Sequence, residues 1–477
     1  MTANGASGAH PVAWSERPGT PSEFLAGVAA RLARWEPELR AFTHVDLDRA
    51  AVAAAEADAR WAAGTPLSPI DGMPVAVKEI IDSAEFPTEL GSSLFAGRRP
   101  EADAEAVARL RAAGAIVIGM TTSTPFACGT TTVTANPHDL ARTPGGSSAG
   151  SGAAVGAGIV PAALASQTGA STIRPASYCG AVGYKPSHRR LPMGGVHPVA
   201  PSLDDVGVIA ASVDDLALVA AVLAAGTPDA PPERRVRPRL GLVRLDSGDE
   251  PDPESWAALE VLLARLDETG TATVTRSEHD PGLAAFDAEV AGSTPLVFDL
   301  FAAEAAPILA PYVDAARPDP EPDPRIRDLV ERGPEQSAKH LATIHALRAR
   351  LRHRLQALSE RYDALVTLST ANVAPLGHTT TGSRTMPATW SFLGAPALSL
   401  PLLEVDGLPL GLQLLGFPDR DDELIALARI LTAPPAAAPR IPPAPAPLAP
   451  APSAPAPSAT TPQPEPQHHP HRPNGTP

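Results

Sequence analysis

Residues 143–186 read TPGGSSAGSGAAVGAGIVPAALASQTGASTIRPASYCGAVGYKP, and this stretch is the most informative part of the sequence. It begins with a loop of small residues, 145–150, which an Ala-rich helical segment follows. Small residues let the backbone approach a ligand closely, and the N-terminus of the following helix can stabilise negative charge. A second turn of small residues occupies 168–171, and its backbone N–H groups could converge on one oxygen, as an oxyanion hole requires.

Three interpretations of these turns compete on residue pattern alone. A Walker-type phosphate loop ends in Gly-Lys-Ser/Thr, and no lysine follows Gly150 or Gly152. The nucleophile elbow of an α/β-hydrolase, Gly-x-Ser-x-Gly, is matched by Gly146, Ser148 and Gly150. That elbow should follow an apolar strand, whereas residues 139–144 are mostly polar and end in proline. A glycine-rich turn that packs two helices closely stays open for either loop taken alone.

Taken together, the spaced motifs resemble the amidase-signature family. The core of that family is Gly-Gly-Ser-Ser-Gly-Gly, a small-residue helix, Thr-Gly-Gly-Ser, a Pro, Cys-Gly and Gly-x-Lys-Pro. The matching segments here are 145–150, 168–171, Pro175, 179–180 and 183–186. Further matches are the lysine strand at 71–78 and the C-terminal strands at 390–401 and 407–413. The resemblance covers about residues 20–432.

The resemblance implies three catalytic residues: Ser171 as nucleophile, Ser147 as a bridging serine in a cis peptide, and Lys78 as general base. Such a set is chemically sensible, because a serine hydroxyl is a weak nucleophile that needs a base within hydrogen-bond reach. Burial disfavours the charged form of a lysine and can leave a neutral amine. The oxyanion would be held by the backbone amides of the second turn, those of Thr168, Gly169, Ala170 and Ser171.

The second turn departs from the commonest family form, Thr-Asp-Thr-Gly-Gly-Ser-Ile-Arg. Gln167 replaces the Asp, Ala170 replaces a Gly, and Arg174 stands three residues after the serine instead of two. This form resembles the malonamidase-like branch, in which the matching Arg faces a substrate carboxylate. A guanidinium can hold a carboxylate through two parallel hydrogen bonds. Arg174 is therefore a candidate substrate-binding residue, and the alternative is a structural ion pair.

Helical and short apolar segments alternate to about residue 431, which predicts an α/β fold with a mixed central β-sheet covered by helices. We expect two helices within 22–63, capped by Ser22 and Asp46, and a short strand that Lys78 ends. Residues 206–225 are the longest apolar run, and they predict a buried or amphipathic helix because Asp214 and Asp215 interrupt them.

The chain is expected to have three regions. Residues 1–20 are expected to be a flexible N-terminus, and the resemblance implies an amidase domain at 21–432. Residues 433–477 are dominated by Pro and Ala, so they cannot bury enough surface to offset their ordering entropy and are expected to be a disordered tail. The Pro-rich, charged stretches 226–239 and 316–325 are expected to be surface loops.

Composition also limits the partners. The formal charge is −15, and a nucleic-acid binder needs a basic face, so no nucleic acid is expected. No apolar run of about 18 residues predicts a membrane span. The two cysteines, Cys128 and Cys179, form no motif for a disulfide framework, which suits a reducing cytoplasm. We expect a cytoplasmic protein with a small-molecule partner, and a homodimer stays open.

The resemblance leads us to expect an amidase that hydrolyses a carbon–nitrogen amide bond through a seryl acyl-enzyme, using no metal or organic cofactor. It would release ammonia or an amine. The alternative is an amidotransferase subunit that supplies ammonia to a partner protein, although the Asp and Arg spacing of that branch is absent. A non-catalytic scaffold is a third interpretation, against which Lys78, Ser147 and Ser171 argue.

Overall fold

The computed structural model describes residues 13–225, 237–245, 251–315 and 323–433. Their strands are β1 Phe42–Val45, β2 Pro74–Lys78, β3 Ile116–Thr121, β4 Ala162–Gln167, β5 Val182–Lys185, β6 Asp205–Ala210, β7 Arg239–Leu242, β8 Thr273–Arg276, β9 Ala364–Leu368, β10 Ala397–Val405 and β11 Leu408–Leu415. They form one sheet in the order β1-β3-β2-β4-β6-β5-β10-β11-β9-β7-β8. β2 lies parallel to β3 and β4, and β7 lies parallel to β8 and β9, whereas the other neighbours are antiparallel. The predicted mixed sheet is confirmed.

Helices cover this sheet. They are α1 Pro21–Leu39, α2 Leu47–Ala62, α3 Glu105–Ala112, α4 Ala149–Gly156, α5 Ile173–Tyr178, α6 Val213–Leu223, α7 Pro253–Glu268, α8 Pro281–Ala291, α9 Thr294–Ala315, α10 Pro324–Arg332, α11 Ala338–Leu358, α12 Thr385–Leu393 and α13 Asp421–Thr432. The short helices α4 and α5 pack against each other, with α4 on β4 and α5 on β10 and β11. Residues 390–393, which we expected in a C-terminal strand, belong to α12 instead.

The first two helices form as predicted, but the first cap was wrong. α1 is capped by Thr20, whose hydroxyl accepts from the Glu23 backbone N–H at 3.3 Å while the Glu23 carboxylate accepts from the Thr20 N–H at 2.9 Å. This reciprocal box satisfies two free amides, and Pro21 suits the first helical position, so the helix begins before Ser22. α2 begins after Asp46, which accepts from the Arg49 N–H at 2.9 Å.

The prediction of one helix over residues 206–225 is wrong. They divide into strand β6 and helix α6, and Ser212 caps the helix by accepting from the Asp215 N–H at 3.0 Å. All of β6 is buried between β4 and β5, and a strand buried on both faces has no alternation that separates it from a buried helix.

The N-terminal segment is anchored where the structure describes it. Trp14 is fully buried in a short 3-10 helix, Trp14–Glu16, and its backbone N–H donates to the Asp215 carboxylate at 2.9 Å. The Trp14 indole N–H donates to the Pro69 carbonyl at 2.8 Å. Residues 13–20 are thus part of the fold. Residues 1–12, the tail from 434 and most of the two predicted loops lie outside the described residues.

One helix of the described chain, α9, is long and apolar enough to cross a membrane by length and composition alone. The core helix of a soluble protein meets the same criteria. α9 packs against α10, α11 and α12 and buries Leu300, Phe301 and Leu309. The exposed large apolar side chains of the described residues lie on other segments, and 39% of the apolar window of α9 is buried inside the fold.

Candidate active site

The site lies at one edge of the sheet, where β2 and β4 end. The two strands are parallel neighbours, with Val77 opposite Leu164, so their last side chains meet at the same edge. Lys78 is the final residue of β2, and its Nζ lies 2.7 Å from Ser147 Oγ and 2.8 Å from Ser166 Oγ. Lys78 is fully buried and Ser147 is 2% exposed. The structure thus brings the predicted base and bridging serine into direct contact.

The loop before α4 carries Ser147. Gly145 has a φ of +84°, which favours glycine, and the following Gly146–Ser147 peptide bond is cis. A side chain at Gly150 would put its Cβ 2.1 Å from the Ala41 carbonyl oxygen, so the start of α4 tolerates only glycine there. Ser148 Oγ lies 3.3 Å from both the N and the O of Ser166, which makes it a local backbone contact rather than a pocket group.

The turn after β4 presents Ser171. The side chain is 9% exposed, lines a narrow cavity together with Ser147, and has no hydrogen-bond partner among the described residues. Within the same part of the chain, the backbone N–H groups of Gly169, Ala170 and Ser171 donate to no protein acceptor. Free amides beside a serine hydroxyl are what an oxyanion hole requires. Ala170 does not adopt a positive φ, so its methyl group is accommodated.

Gln167 explains how the turn holds its shape without the family's Asp. Its Oε1 accepts from the backbone N–H groups of Thr172 and Ile173 at 2.9 and 3.0 Å, which caps α5. Its Nε2 donates to Ser391 Oγ at 3.0 Å, and Ser391 in turn donates to the Gly169 carbonyl at 2.9 Å. An amide can donate as well as accept, so Gln167 ties the turn to α12 as well as to α5.

Asp204 supports the other end of the turn. One carboxylate oxygen accepts from Thr168 Oγ1 at 2.6 Å, and the other accepts from the backbone N–H groups of Val199 and Ala200 at 2.8 and 3.0 Å. Burial raises the pKa of Asp204, and these hydrogen bonds oppose that rise. Asp204 therefore closes the turn at 199–204, and its contact with Thr168 positions the turn that presents Ser171.

Thr168→Val should lower kcat by roughly tenfold, less than the about 10²–10³-fold loss that follows removal of an oxyanion donor outright. The variant leaves a buried Asp204 oxygen without its partner, so the free energy of unfolding should fall by about 1–3 kcal/mol. Steady-state kinetics and thermal melting measure the two effects. Thr168→Ser keeps the hydroxyl and should retain most of kcat, and equal losses in the two variants would contradict the role given to this contact.

Arg174 does not extend freely into the cavity. Its Nε and one Nη donate to the Gly146 carbonyl at 3.1 and 2.6 Å, and the other Nη donates to the carbonyls of Gly382 and Ser383 at 2.6 and 3.3 Å. Burial lowers the pKa of this guanidinium to about 9. Arg174 thus joins the loop of Ser147 to residues 382–383. Substrate binding by Arg174 stays a prediction, and the geometry favours a positioning role.

Arg174→Gln should lower kcat/KM for a dicarboxylic acid monoamide and for a neutral amide of similar size by the same factor. The reason is that its hydrogen bonds go to backbone carbonyls, and their loss should cost about 2–4 kcal/mol of stability. Kinetics with both amides and a melting curve test this. A selective rise of KM for the monoamide, with an unchanged melting temperature, would instead assign Arg174 to the substrate carboxylate.

Electrostatics at the sheet edge favour a neutral amine. Burial lowers the pKa of Lys78 to about 7, against smaller opposing effects of nearby groups. The neighbouring Glu79 is also buried, which raises its pKa to about 7, and it accepts from the Ser123 N–H at 2.8 Å. Near neutral pH a large fraction of Lys78 is therefore uncharged and able to take a proton. Within the described ranges no cluster of His, Cys, Asp or Glu is arranged to hold a metal ion.

Several residues of the site were missed at the level of sequence. Ser166 could have been found, because a residue near the end of a strand parallel to β2 must lie beside Lys78. Asp204 and Ser391 reach the turn from 36 and 222 positions away, and no local motif indicates such contacts.

Known proteins share both the sequence pattern and the fold. The family model described as Amidase matches residues 23–425. One relative, a subunit of the glutamyl-tRNA(Gln) amidotransferase of Anaeromyxobacter sp. (strain K), is 34% identical over 458 residues, covering 86% of this chain and 92% of that protein. Its counterpart in Chloroflexus aggregans is 32% identical over 449 residues, covering 84% and 90%. A crystal structure of an amidase is 29% identical with a TM-score of 0.76, covering 87% and 96%. The chain belongs to the amidase family, the amidase-signature enzymes.

Proposed function

We propose that this chain hydrolyses a carbon–nitrogen amide bond through an acyl-enzyme on Ser171. The observation that carries the proposal is a buried chain of groups at one cavity: Lys78 Nζ lies 2.7 Å from Ser147 Oγ, and Ser147 lines the same narrow cavity as Ser171. Each of these serines needs a base to act, and the only neighbouring base within hydrogen-bond reach of Ser147 among the described residues is Lys78.

In the acylation step, Ser171 Oγ attacks the amide carbon while its proton passes to Ser147 and the Ser147 proton passes to neutral Lys78. The amides of 169–171 hold the resulting oxyanion. Lys78 then returns a proton through Ser147 to the leaving nitrogen, which departs as ammonia or an amine. Water attacks the ester by the same relay and releases the carboxylic acid. The cycle begins and ends with a neutral Lys78, so no external acid or base is consumed.

A second candidate assigns the same chemistry to a larger assembly. The relatives from Anaeromyxobacter and Chloroflexus are amidotransferase subunits, which supports a chain that releases ammonia for a partner protein rather than into solution. In that case the partner would bring tRNA to the complex, and the expected lack of a nucleic-acid partner would not hold for the assembly. The acylation step at Ser171 is common to both candidates.

The test is hydrolysis of primary amides by the purified chain alone, followed as ammonia release. Steady turnover supports a free-standing amidase. Turnover that appears only when a cognate partner protein is added supports the amidotransferase interpretation. A chain that neither turns over amides nor forms an adduct with a serine-directed phosphonate in either setting would contradict the acyl-enzyme itself.

A further inference from the structure

The narrow cavity at Ser171 continues into a wider one. The outer cavity has a volume of about 710 Å³ and is lined largely by residues 379–385. Three residues line both cavities, namely Arg325, Thr381 and Arg384. An amide that places its carbonyl at Ser171 and extends outward must therefore pass these two arginines.

The lining is one-sided in charge. Arg325 and Arg384 line both cavities and Arg174 lines the inner one, while no Asp or Glu is among the described residues that line either cavity. The chain as a whole carries a formal charge of −15, so the positive charge of this lining is opposite in sign to the net charge of the protein. Clefts lined by one sign of charge focus the field and attract ligands of the opposite sign.

Arg325 is held in place by its backbone rather than by an ion pair. It lies in the first turn of α10, and its backbone N–H donates to Asp323 Oδ1 at 2.9 Å. The other Asp323 oxygen is occupied by the N–H and hydroxyl of Thr130, at 2.8 and 2.9 Å. In the part of the chain that the structure describes, no carboxylate forms an ion pair with the half-buried Arg325 guanidinium.

Arg384 is oriented by an aromatic ring. It directly precedes α12, and its guanidinium carbon lies 4.2 Å from the centroid of the Phe298 ring on α9. Phe298 itself lines the inner cavity. A guanidinium stacked on a ring keeps its in-plane N–H groups available for a planar anion. Among described residues this side chain also forms no ion pair.

Other arginines of the protein show the contrast. Arg332 on the same helix as Arg325 pairs with Asp299 and Asp328, and Arg361 pairs with Asp280. Arg174 uses its donors on backbone carbonyls. Arg325 and Arg384 are therefore the cations of the cavity whose N–H groups are left to bind a ligand. A half-buried charge without a partner is costly, so an anion bound there would be stabilising.

We propose that Arg325 and Arg384 bind a carboxylate of the amide substrate, so that the site selects anionic monoamides of dicarboxylic acids over zwitterionic amino-acid amides. This rests on the proposed amide hydrolysis at Ser171. A carboxylate gains charge-assisted hydrogen bonds from the two guanidinium groups. The ammonium group of an amino-acid amide would meet two cations and, in the described lining, no acidic side chain.

Three amides of equal chain length separate the effect of the carboxylate from that of the ammonium group. The monoamide of pentanedioic acid and glutamine share the amide and the carboxylate and differ only in the α-ammonium group, and pentanamide lacks both charges. We expect kcat/KM for the monoamide to exceed that for glutamine by about tenfold or more and that for pentanamide by roughly 10- to 100-fold.

The variants Arg325→Gln and Arg384→Gln should each reduce the monoamide-to-pentanamide ratio of kcat/KM by about tenfold, and the double variant should bring the ratio close to one. Arg325→Lys keeps the charge but loses the planar guanidinium that can donate two parallel hydrogen bonds. Its ratio should therefore lie between those of Arg325→Gln and the unaltered chain. Arg332→Gln is the matched control, because it removes a charge from the same helix outside both cavities, and it should leave the ratio unchanged.

Calorimetry with pentanedioate and with glutamate tests the subsite without turnover and without Ser171. Pentanedioate should bind Ser171→Ala more tightly than glutamate does, and Arg325→Gln in that background should weaken it by about tenfold. Equal or better turnover of glutamine, or a ratio that neither arginine variant changes, would overturn the proposal. If the chain hydrolyses no amide at all, the proposed acyl-enzyme chemistry is contradicted, but the proposed carboxylate site is still tested by binding. That site is contradicted if pentanedioate does not bind or if glutamate binds more tightly.

Discussion

Ser171→Ala should abolish amide hydrolysis, with a loss on the order of 10⁴-fold or more, as expected when a nucleophile is removed. The proposed route has no second hydroxyl that faces the free amides of the turn. The Ser171 hydroxyl has no hydrogen-bond partner in the described protein, so its removal breaks no internal contact and the melting temperature should stay nearly unchanged. Ammonia release and a melting curve measure the two quantities.

Labelling with a serine-directed phosphonate identifies the nucleophile directly. The adduct should be found on Ser171 by mass spectrometry of the digested protein and should disappear in Ser171→Ala. Ser148→Ala is the matched control, since Ser148 Oγ contacts the backbone of Ser166 and should not take the label. An adduct on Ser148 would instead restore the α/β-hydrolase elbow that the sequence pattern leaves open.

Lys78→Met should lower kcat by roughly 10²–10⁴-fold, because loss of a general base typically costs that much. Methionine preserves most of the volume of the buried stem and removes only the amine that contacts Ser147 and Ser166. Lys185 offers a control, since it is also fully buried but pairs with Asp205 at 3.4 Å and donates to no serine among the described residues. Lys185→Met should affect stability more than turnover. A Lys78→Met variant that keeps more than about a tenth of kcat would place the base elsewhere.

The same residue predicts a pH profile. Burial lowers the pKa of Lys78 to about 7, and only the deprotonated amine accepts a proton, so kcat/KM should fall as the pH decreases through about 7 and level off above it. Glu79 titrates in the same range but faces the Ser123 amide. Glu79→Gln should therefore keep the acidic limb of the profile, and its disappearance in this variant would assign the limb to Glu79.

Local sequence was sufficient for the parts of the site that one short segment builds. Ser147 and Ser171 each sit in a turn of small residues whose composition is itself the signal, and Lys78 ends an apolar strand. The strand register then explains the pairing of Lys78 with Ser166, a contact that depends on β2 and β4 being neighbours. Neighbouring strands are a property of the whole sheet, which no local pattern specifies.

Arg174 illustrates what spacing alone cannot decide. Its position after the turn is compatible with a guanidinium in the cavity or with one against the backbone. The outcome depends on the carbonyls of Gly382 and Ser383, which lie more than 200 positions further along the chain. For the same reason, the sequence pattern did not indicate Arg325 and Arg384 as site residues. Each is an ordinary arginine at the start of a helix until the folded chain brings α10 and α12 to one cavity.

The two tasks that we propose for the site, bond cleavage and substrate selection, are carried by different stretches of chain. Lys78, Ser147 and Ser171 lie before α6, whereas Arg325 lies in α10 and Arg384 directly precedes α12. Substitutions of these two arginines should therefore change which amide is admitted while the contacts of Lys78, Ser147 and Ser171 stay intact. Directed evolution toward a new amide should therefore randomise Thr379, Thr380, Arg384 and Arg325, and should leave the glycine-rich turns and Gly382 unchanged.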